Sequence, residues 1–304
     1  ASARTHATRG SSSQPPTVSA WWLAGTIGGV AAAAAVCAWA AICLMFWQGS
    51  WQLLYHPTAE VTRTPASVRV PFDAVSFGTT EAGVSRLKGW WIPAAPDARL
   101  SHLTALYLHG AHGNLGDSVD ALAALHAVGV NVLAFDYRGY GQSQFVHPSE
   151  ARWREDADGA LEYLTGTRHI PANSIVLVGN ELGASLALEV AAAHPELAGG
   201  VFEEPREAPA EIIFRDPRAR MVPAHWLVSD RWNLNAPAAG LRIPSLWLYW
   251  TVTPGGEGES DEPGIFRRVT APKRLAWLPS AGDRESAYSD ALSRWLDDLP
   301  RKSN

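Results

Sequence analysis

Between Arg9 and Glu60 the chain carries no Asp, Glu, Lys or Arg, and within that gap Trp21 to Trp47 is almost purely apolar. As a helix this stretch reaches roughly 40 Å, enough to cross a bilayer with some tilt. The pattern predicts one transmembrane helix over residues 20–48, preceded by a small, polar, Pro/Ser-rich tail at 1–19 whose composition reads as disordered. A cleaved signal peptide has a shorter apolar core, about 7–15 residues, so the helix is expected to stay in the mature protein. Trp21 and Trp22 at one end, with Trp47, Trp51 and Tyr55 at the other, fall where interfacial aromatic belts are expected.

From residue 49 the periodicity changes. Asp73–Thr79 and Arg86–Pro93 alternate as strands around a Glu81-Ala-Gly turn. Continuous apolar runs at Leu103–Leu108 and Val128–Phe135 flank the amphipathic stretch Leu115–Ala127, which is a βαβ unit by spacing. Helix 149–165, strand 174–178, helix 182–193, strands 199–202, 245–249 and 274–278, and helix 285–299 continue the alternation. The prediction for 49–304 is one α/β domain with a mostly parallel sheet, helices on both faces, and an irregular short cap at 205–242 containing Trp226 and Trp232.

Composition narrows the function. The formal charge of -5, with Lys and Arg scattered, leaves no electrostatic footprint for nucleic acid. Both cysteines, Cys37 and Cys43, lie in the apolar helix, so the soluble part has neither a disulfide framework nor a thiolate metal cluster. Gly25, Gly29, Ala33, Cys37 and Ala41 recur at every fourth position of that helix, and such a small-residue stripe suits packing against another membrane helix. An integral membrane partner or self-association, besides membrane lipid, is therefore the expected company. Arg4 and Arg9 precede the helix and Arg63 and Arg69 lie further behind it, which favours a cytoplasmic N-terminus and an extracytoplasmic domain at the inner membrane.

The chemistry concentrates at Ser174-Ile-Val-Leu-Val-Gly-Asn-Glu-Leu-Gly-Ala-Ser185, a β-branched run, a Gly-x-x-x-Gly turn and the start of an alanine-rich helix. This is the context of a nucleophile elbow, whose central residue is held on a strained bend with its side chain exposed. That central residue is Glu181, not serine.

Tyr55-His-Pro-Thr, Gly89-Trp-Trp-Ile-Pro, Leu108-His-Gly-Ala-His-Gly-Asn114, Asp136-Tyr-Arg-Gly-Tyr-Gly-Gln-Ser143 and Leu278-Pro-Ser-Ala-Gly282 resemble, in order, the landmarks of the α/β-hydrolase superfamily. The branch resembled is the membrane-anchored bud-emergence-type serine hydrolases, over residues 50–299. The resemblance implies an α/β-hydrolase fold. It also places the nucleophile at Glu181, the acid on or near Thr253 and the catalytic histidine at Asp283, so all three triad roles are substituted. Remnants of the oxyanion loop are His109, Gly110, Gly113, Asn114 and Leu182.

A carboxylate at Asp283 is too weak a base to replace a histidine acting on an alcohol. Glu181 as a carboxylate nucleophile, in the manner of the dehalogenase and epoxide-hydrolase relatives, forms an ester that a His-activated water must release. With Asp283 in the histidine position that ester persists. Ser143, Ser280, His109 and His112 are stray candidates for a relocated site, without a spacing that argues for a triad. Convergence of His109, His112, Glu181 and Asp283 on a metal is a further alternative, and a pocket for a cationic group is another; Arg284 is a cation able to pair with the acids. The expected reading is a catalytically inactive binding or accessory subunit of a membrane complex, with no metal and no cofactor. The alternative is a membrane-anchored esterase or lipase-like hydrolase using residues outside the family pattern.

Overall fold

The computed structural model describes residues 18–79, 83–251, 262–279 and 283–300. The apolar N-terminal run forms one helix, α1 (Ala20–Gly49), started by the Ser19 hydroxyl accepting from the Trp22 N–H. It is long and apolar enough to span a membrane, and nearly all of it lies outside the protein core. Its last turns do not stand free: Phe46 is buried within the domain core.

The domain is organised on an eight-stranded sheet. Its strands are β2 (Asp73–Thr79), β3 (Ser85–Ile92), β4 (Thr104–Leu108), β6 (Asn131–Asp136), β7 (Ile175–Asn180), β8 (Gly199–Glu203), β9 (Ser245–Trp250) and β10 (Lys273–Leu278). Their order is β10-β9-β8-β7-β4-β6-β3-β2, antiparallel at the β2–β3 and β3–β6 pairs and parallel elsewhere. A two-stranded parallel pair, β1 (His56–Pro57) with β5 (His112–Gly113), sits apart from it. β4 and β8 are buried along their whole length, as expected of strands covered on both faces.

Helices α2 (Val119–Val128) and α9 (Arg284–Asp297) cover one face, where Leu122, Leu125, Leu292 and Trp295 join one core cluster, α2 against β6 and α9 against β10. Helices α3 (Glu150–Glu162) and α4 (Leu182–Ala193) cover the other. There Trp153 is fully buried, with Tyr137 stacked on it at 3.9 Å between ring centroids. The cap is not irregular as the sequence suggested. It contains three short helices, α5 (Glu211–Arg215), α6 (Ala224–Leu227) and α7 (Asn235–Gly240), and α8 (Gly264–Arg268) follows β9.

Two aromatic assignments are corrected. Tyr55 is buried and its hydroxyl donates to Asp230 at 2.5 Å, while Trp232 Nε1–H donates to that same hydroxyl. Trp51 is half-buried and stacks on His147. Neither belongs to an interfacial belt, because the chain has already turned into the domain at Ser50. The small-residue stripe Gly25, Gly29, Ala33, Cys37 and Ala41 is exposed along its length.

Candidate functional site

β7 delivers the chain into a sharp turn at the carboxyl ends of the parallel strands, and α4 leaves from it. Glu181, at the apex, has φ 49° and ψ −113°, a conformation that costs a non-glycine residue about 1–3 kcal/mol. Its N–H donates to the Glu203 carbonyl at 2.8 Å, which ties the bend to the end of β8. The glycines on either side are required by close approach. A Cβ at Gly183 would meet the Leu108 carbonyl oxygen at 2.1 Å, and one at Gly179 would meet the Gly183 carbonyl oxygen at 2.3 Å. The fold thus builds a nucleophile elbow and presents a half-exposed carboxylate on it.

Of the imidazoles expected near the elbow, one reaches it. His112 Nδ1 stands 4.0 Å from Glu181 Oε2, with both side chains open to solvent. His112 stacks face to face on His56, centroids 4.6 Å apart and planes within 3°, because the β1–β5 pairing sets the two residues in register. Burial, then the neighbouring His112, lower the pKa of His56 below its ordinary value.

His109 is elsewhere. Its ring is buried, Nδ1 lies 2.8 Å from the Gly110 carbonyl, and Nε2 has no hydrogen-bond partner, standing 3.6 Å from Asp136 Oδ1. Burial lowers its pKa to about 4 and raises that of Asp136 to about 7, so at neutral pH the imidazole is uncharged and the contact is not an ion pair. Asp136 holds the loop instead, accepting from the Leu115 N–H at 2.7 Å. Asn114 caps the turn that follows, its side chain and that of Asp117 forming a capping box, and Gly113 adopts φ 74°. These loop residues are framework. Leu182 is buried at the first position of α4.

The remaining described candidates are engaged in contacts of their own. Asp283 is the N-cap of α9, its carboxylate accepting from the Ser286 N–H at 3.0 Å. Arg284 lays its guanidinium over the Trp250 ring at 4.2 Å. Ser143 is buried, donating to the Asp136 carbonyl and accepting from the Lys88 N–H. Thr253 and Ser280 lie outside the described residues. Among the described residues no group of three His, Cys, Asp or Glu is arranged to hold a metal ion, and the four-residue metal alternative fails at His109, whose ring is buried against Tyr137, Tyr140 and Trp153.

The structure adds one acid that sequence reasoning missed. Glu203 ends β8, fully enclosed; Tyr288 O–H donates to one carboxylate oxygen and Asn180 Nδ2 approaches the other at 3.5 Å. Burial raises its pKa to about 7. It forms the floor of a cleft of about 580 Å³ beside the elbow, with Asn180, Trp250, Arg284 and Tyr288 in the walls. The available signal was the pair Glu203-Glu204 closing an apolar strand.

A mostly parallel sheet, a strained elbow after its central strand β7 and a helical segment inserted after β8 define an α/β-hydrolase-fold domain. The chain belongs to the alpha/beta hydrolase family, whose sequence profile matches residues 105–302. It is similar to the uncharacterized protein Rv2307c of Mycobacterium tuberculosis, 28% identical over 270 residues that cover 84% of this chain and 90% of that one. It is also similar to the uncharacterized protein YfhR of Escherichia coli, 31% identical over 229 residues covering 72% and 76% of the two chains. Among solved structures, an esterase of Pyrococcus furiosus superposes with a TM-score of 0.59 at 19% identity, over 81% of this chain and 98% of that one. An acetyl xylan esterase from Paenibacillus superposes at 0.55 and 15% identity, over 83% and 99%. At these identities the superpositions speak for the fold.

Proposed function

We propose that this protein is a membrane-anchored α/β-hydrolase-fold protein of the bud-emergence-type branch whose triad is degenerate, and that its domain binds rather than hydrolyses. In this reading α1 anchors the chain in the inner membrane with its N-terminus cytoplasmic, the domain lies outside the cytoplasm, and the protein is an accessory subunit of a membrane complex. The observation that carries it is the pair of substitutions at the reacting positions. The elbow presents the Glu181 carboxylate where a hydroxyl must stand, and the Asp283 carboxylate is spent capping α9. A serine mechanism then lacks both its nucleophile and its base. The exposed stripe from Gly25 to Ala41 supports a helix partner.

The test is turnover. Full-length protein in detergent is assayed on short and long p-nitrophenyl esters and with a fluorophosphonate probe. Rates equal to a heat-killed control, with no labelling of folded protein, are expected. Turnover that disappears in Glu181→Ala overturns the reading.

One observation favours a second reading, in which Glu181 is itself a nucleophile. His112 at 4.0 Å is an imidazole within one water of the carboxylate. Glu181 Oε2 would attack an electrophilic carbon, expelling halide or opening the epoxide C–O bond to an alkoxide that takes a proton from water, and water deprotonated by His112 would hydrolyse the resulting ester to alcohol and free Glu181. Intact mass spectrometry of His112→Ala after exposure to an epoxide or alkyl halide would then find a stable adduct on Glu181. Unmodified mass in that variant rejects the route.

A further inference from the structure

The cap touches α1 well below its end. Trp39 Nε1–H donates to the Met221 carbonyl at 3.1 Å, and α6 contacts the helix as well. Trp39 stands about 15 Å along the axis from Gly49. Above that contact a cleft of about 200 Å³ lies between helix and cap, lined by Ile42, Met45, Phe46 and Gly49 on one side and Arg218 and Met221 on the other.

Arg218 decides where hydrocarbon must end. Its guanidinium pairs with Asp216 and both belong to the turn that faces Ile42 and Met45. Neighbouring Arg220 is also exposed. If lipid chains reached Trp47, this ion pair and Arg220 would sit in hydrocarbon, where charged groups are expensive. Ending the hydrocarbon near Trp39 removes that cost. The two aromatic ends of the span are then Trp21 and Trp39, about 27 Å apart along the helix, close to the roughly 30 Å of a bilayer core. The same placement brings the cap down to lipid. Its outer surface carries Met221, 56% exposed, and Trp226, 89% exposed, with Arg215, Arg218 and Arg220 between and beside them. Apolar anchors interleaved with arginines are the composition of a segment lying in the headgroup layer.

We propose that the cap, residues 211–228, rests in the headgroup layer of the bilayer that α1 spans, with Met221 and Trp226 against lipid and the hydrocarbon boundary at Trp39. The inference rests on α1 being membrane-spanning, and it commits to lipid as the occupant of this face. Its consequence is positional. The elbow lies on the membrane side of the domain, because His56, stacked beside the Glu181–His112 pair, follows the end of α1 after one short turn.

The test places a bimane fluorophore at single cysteines in full-length protein carrying Cys37→Ser and Cys43→Ser, reconstituted in phosphatidylcholine vesicles. Val30→Cys reports the span, Trp226→Cys the cap, and Asp97→Cys the loop before β4, at the opposite end of the sheet from the elbow. Quenching is compared between lipids carrying a nitroxide on the headgroup and deep in the acyl chain. The expected result is that Val30 responds most to the deep label, while Trp226 responds most to the headgroup label, roughly twofold or more above Asp97. Val30 quenched with Trp226 indistinguishable from Asp97 overturns the cap proposal and leaves the span intact. Val30 unquenched overturns the span, and the proposal with it. A blue-shifted, unquenched fluorophore at Trp226 means that protein covers the face, a second copy or a partner, and also overturns the proposal.

Discussion

The framework under the elbow and the residues displayed on it obey different constraints. Below, tolerances are tenths of an ångström. Gly183 lies against the Leu108 and His109 carbonyls, Arg138 Nε donates to the buried Asp156 carboxylate at 2.5 Å, and Tyr137, Tyr140, His109 and Trp153 pack ring on ring. At the rim, Glu181 and His112 face each other across 4.0 Å in water, and Asp283 serves a helix end. A substitution in the first layer disturbs close packing, whereas one in the second leaves the fold intact while changing the chemistry. That contrast explains how the fold can hold its elbow while the residue displayed there is a carboxylate.

The largest expected effect is at Gly183→Val. The added side chain must displace strand backbone at Leu108, not a flexible tip, so the loss should exceed about 4 kcal/mol and the domain should fail to fold in detergent. Circular dichroism and limited proteolysis check this. A folded, protease-resistant Gly183→Val would mean that the elbow is looser than its geometry and would erase the contrast.

Glu203→Gln tests the framework by pH. Burial raises the Glu203 pKa from its ordinary 4.5 to about 7, so the folded state holds this proton more tightly than the unfolded chain does. The stability that the protonated acid contributes is complete below about pH 4.5 and is lost as pH rises through about 7. Relative to the parent, the uncharged amide should therefore gain as pH rises from 5 to 8, by up to about 3 kcal/mol. Thermal unfolding of both proteins across that range reads the difference. A constant difference would place Glu203 in water, outside the framework.

The framework was the legible layer. Strands such as Ser245–Trp250 announce themselves as unbroken apolar runs, and α4 falls where its alanine-rich stretch predicts, because burial on both faces demands that composition. The cap helices are too short, at five, four and six residues, to display a periodic stripe. Trp51 and Tyr55 misled because aromatics following an apolar helix look alike whether they meet lipid or Trp153 and His147. The His56–His112 stack depends on a two-residue strand pairing between distant segments, which leaves no local pattern. At the rim, the identity of Glu181 was plain, while its neighbours were matters of tertiary placement.

Glu181→Gly probes the rim in the opposite direction from Gly183→Val. Relief of φ 49° should raise stability by about 1 kcal/mol, the strain released less the entropy that glycine adds to the unfolded chain. A rise in melting temperature would mark the apex as a position held strained by the strand and helix around it. A fall would mean that the Glu181 side chain, through its contact with His112, contributes more than the bend costs.

His112→Ala is the smallest change and the most specific. The pair with Glu181 is exposed on both sides, so its loss should move stability by no more than about 0.5 kcal/mol. The informative response is at His56. Burial and the neighbouring His112 both depress its pKa, burial the more, so removing His112 takes away the smaller cause and also part of the cover. The His56 titration midpoint should rise toward its ordinary value, followed by NMR of labelled histidines with His56→Gln to assign the resonance. If the midpoint stays where it was, the two rings do not share the stack in solution. Glu181 would then face water without an organised imidazole beside it, which removes the basis for a His112-assisted route and leaves the rim as a displayed carboxylate on an intact scaffold.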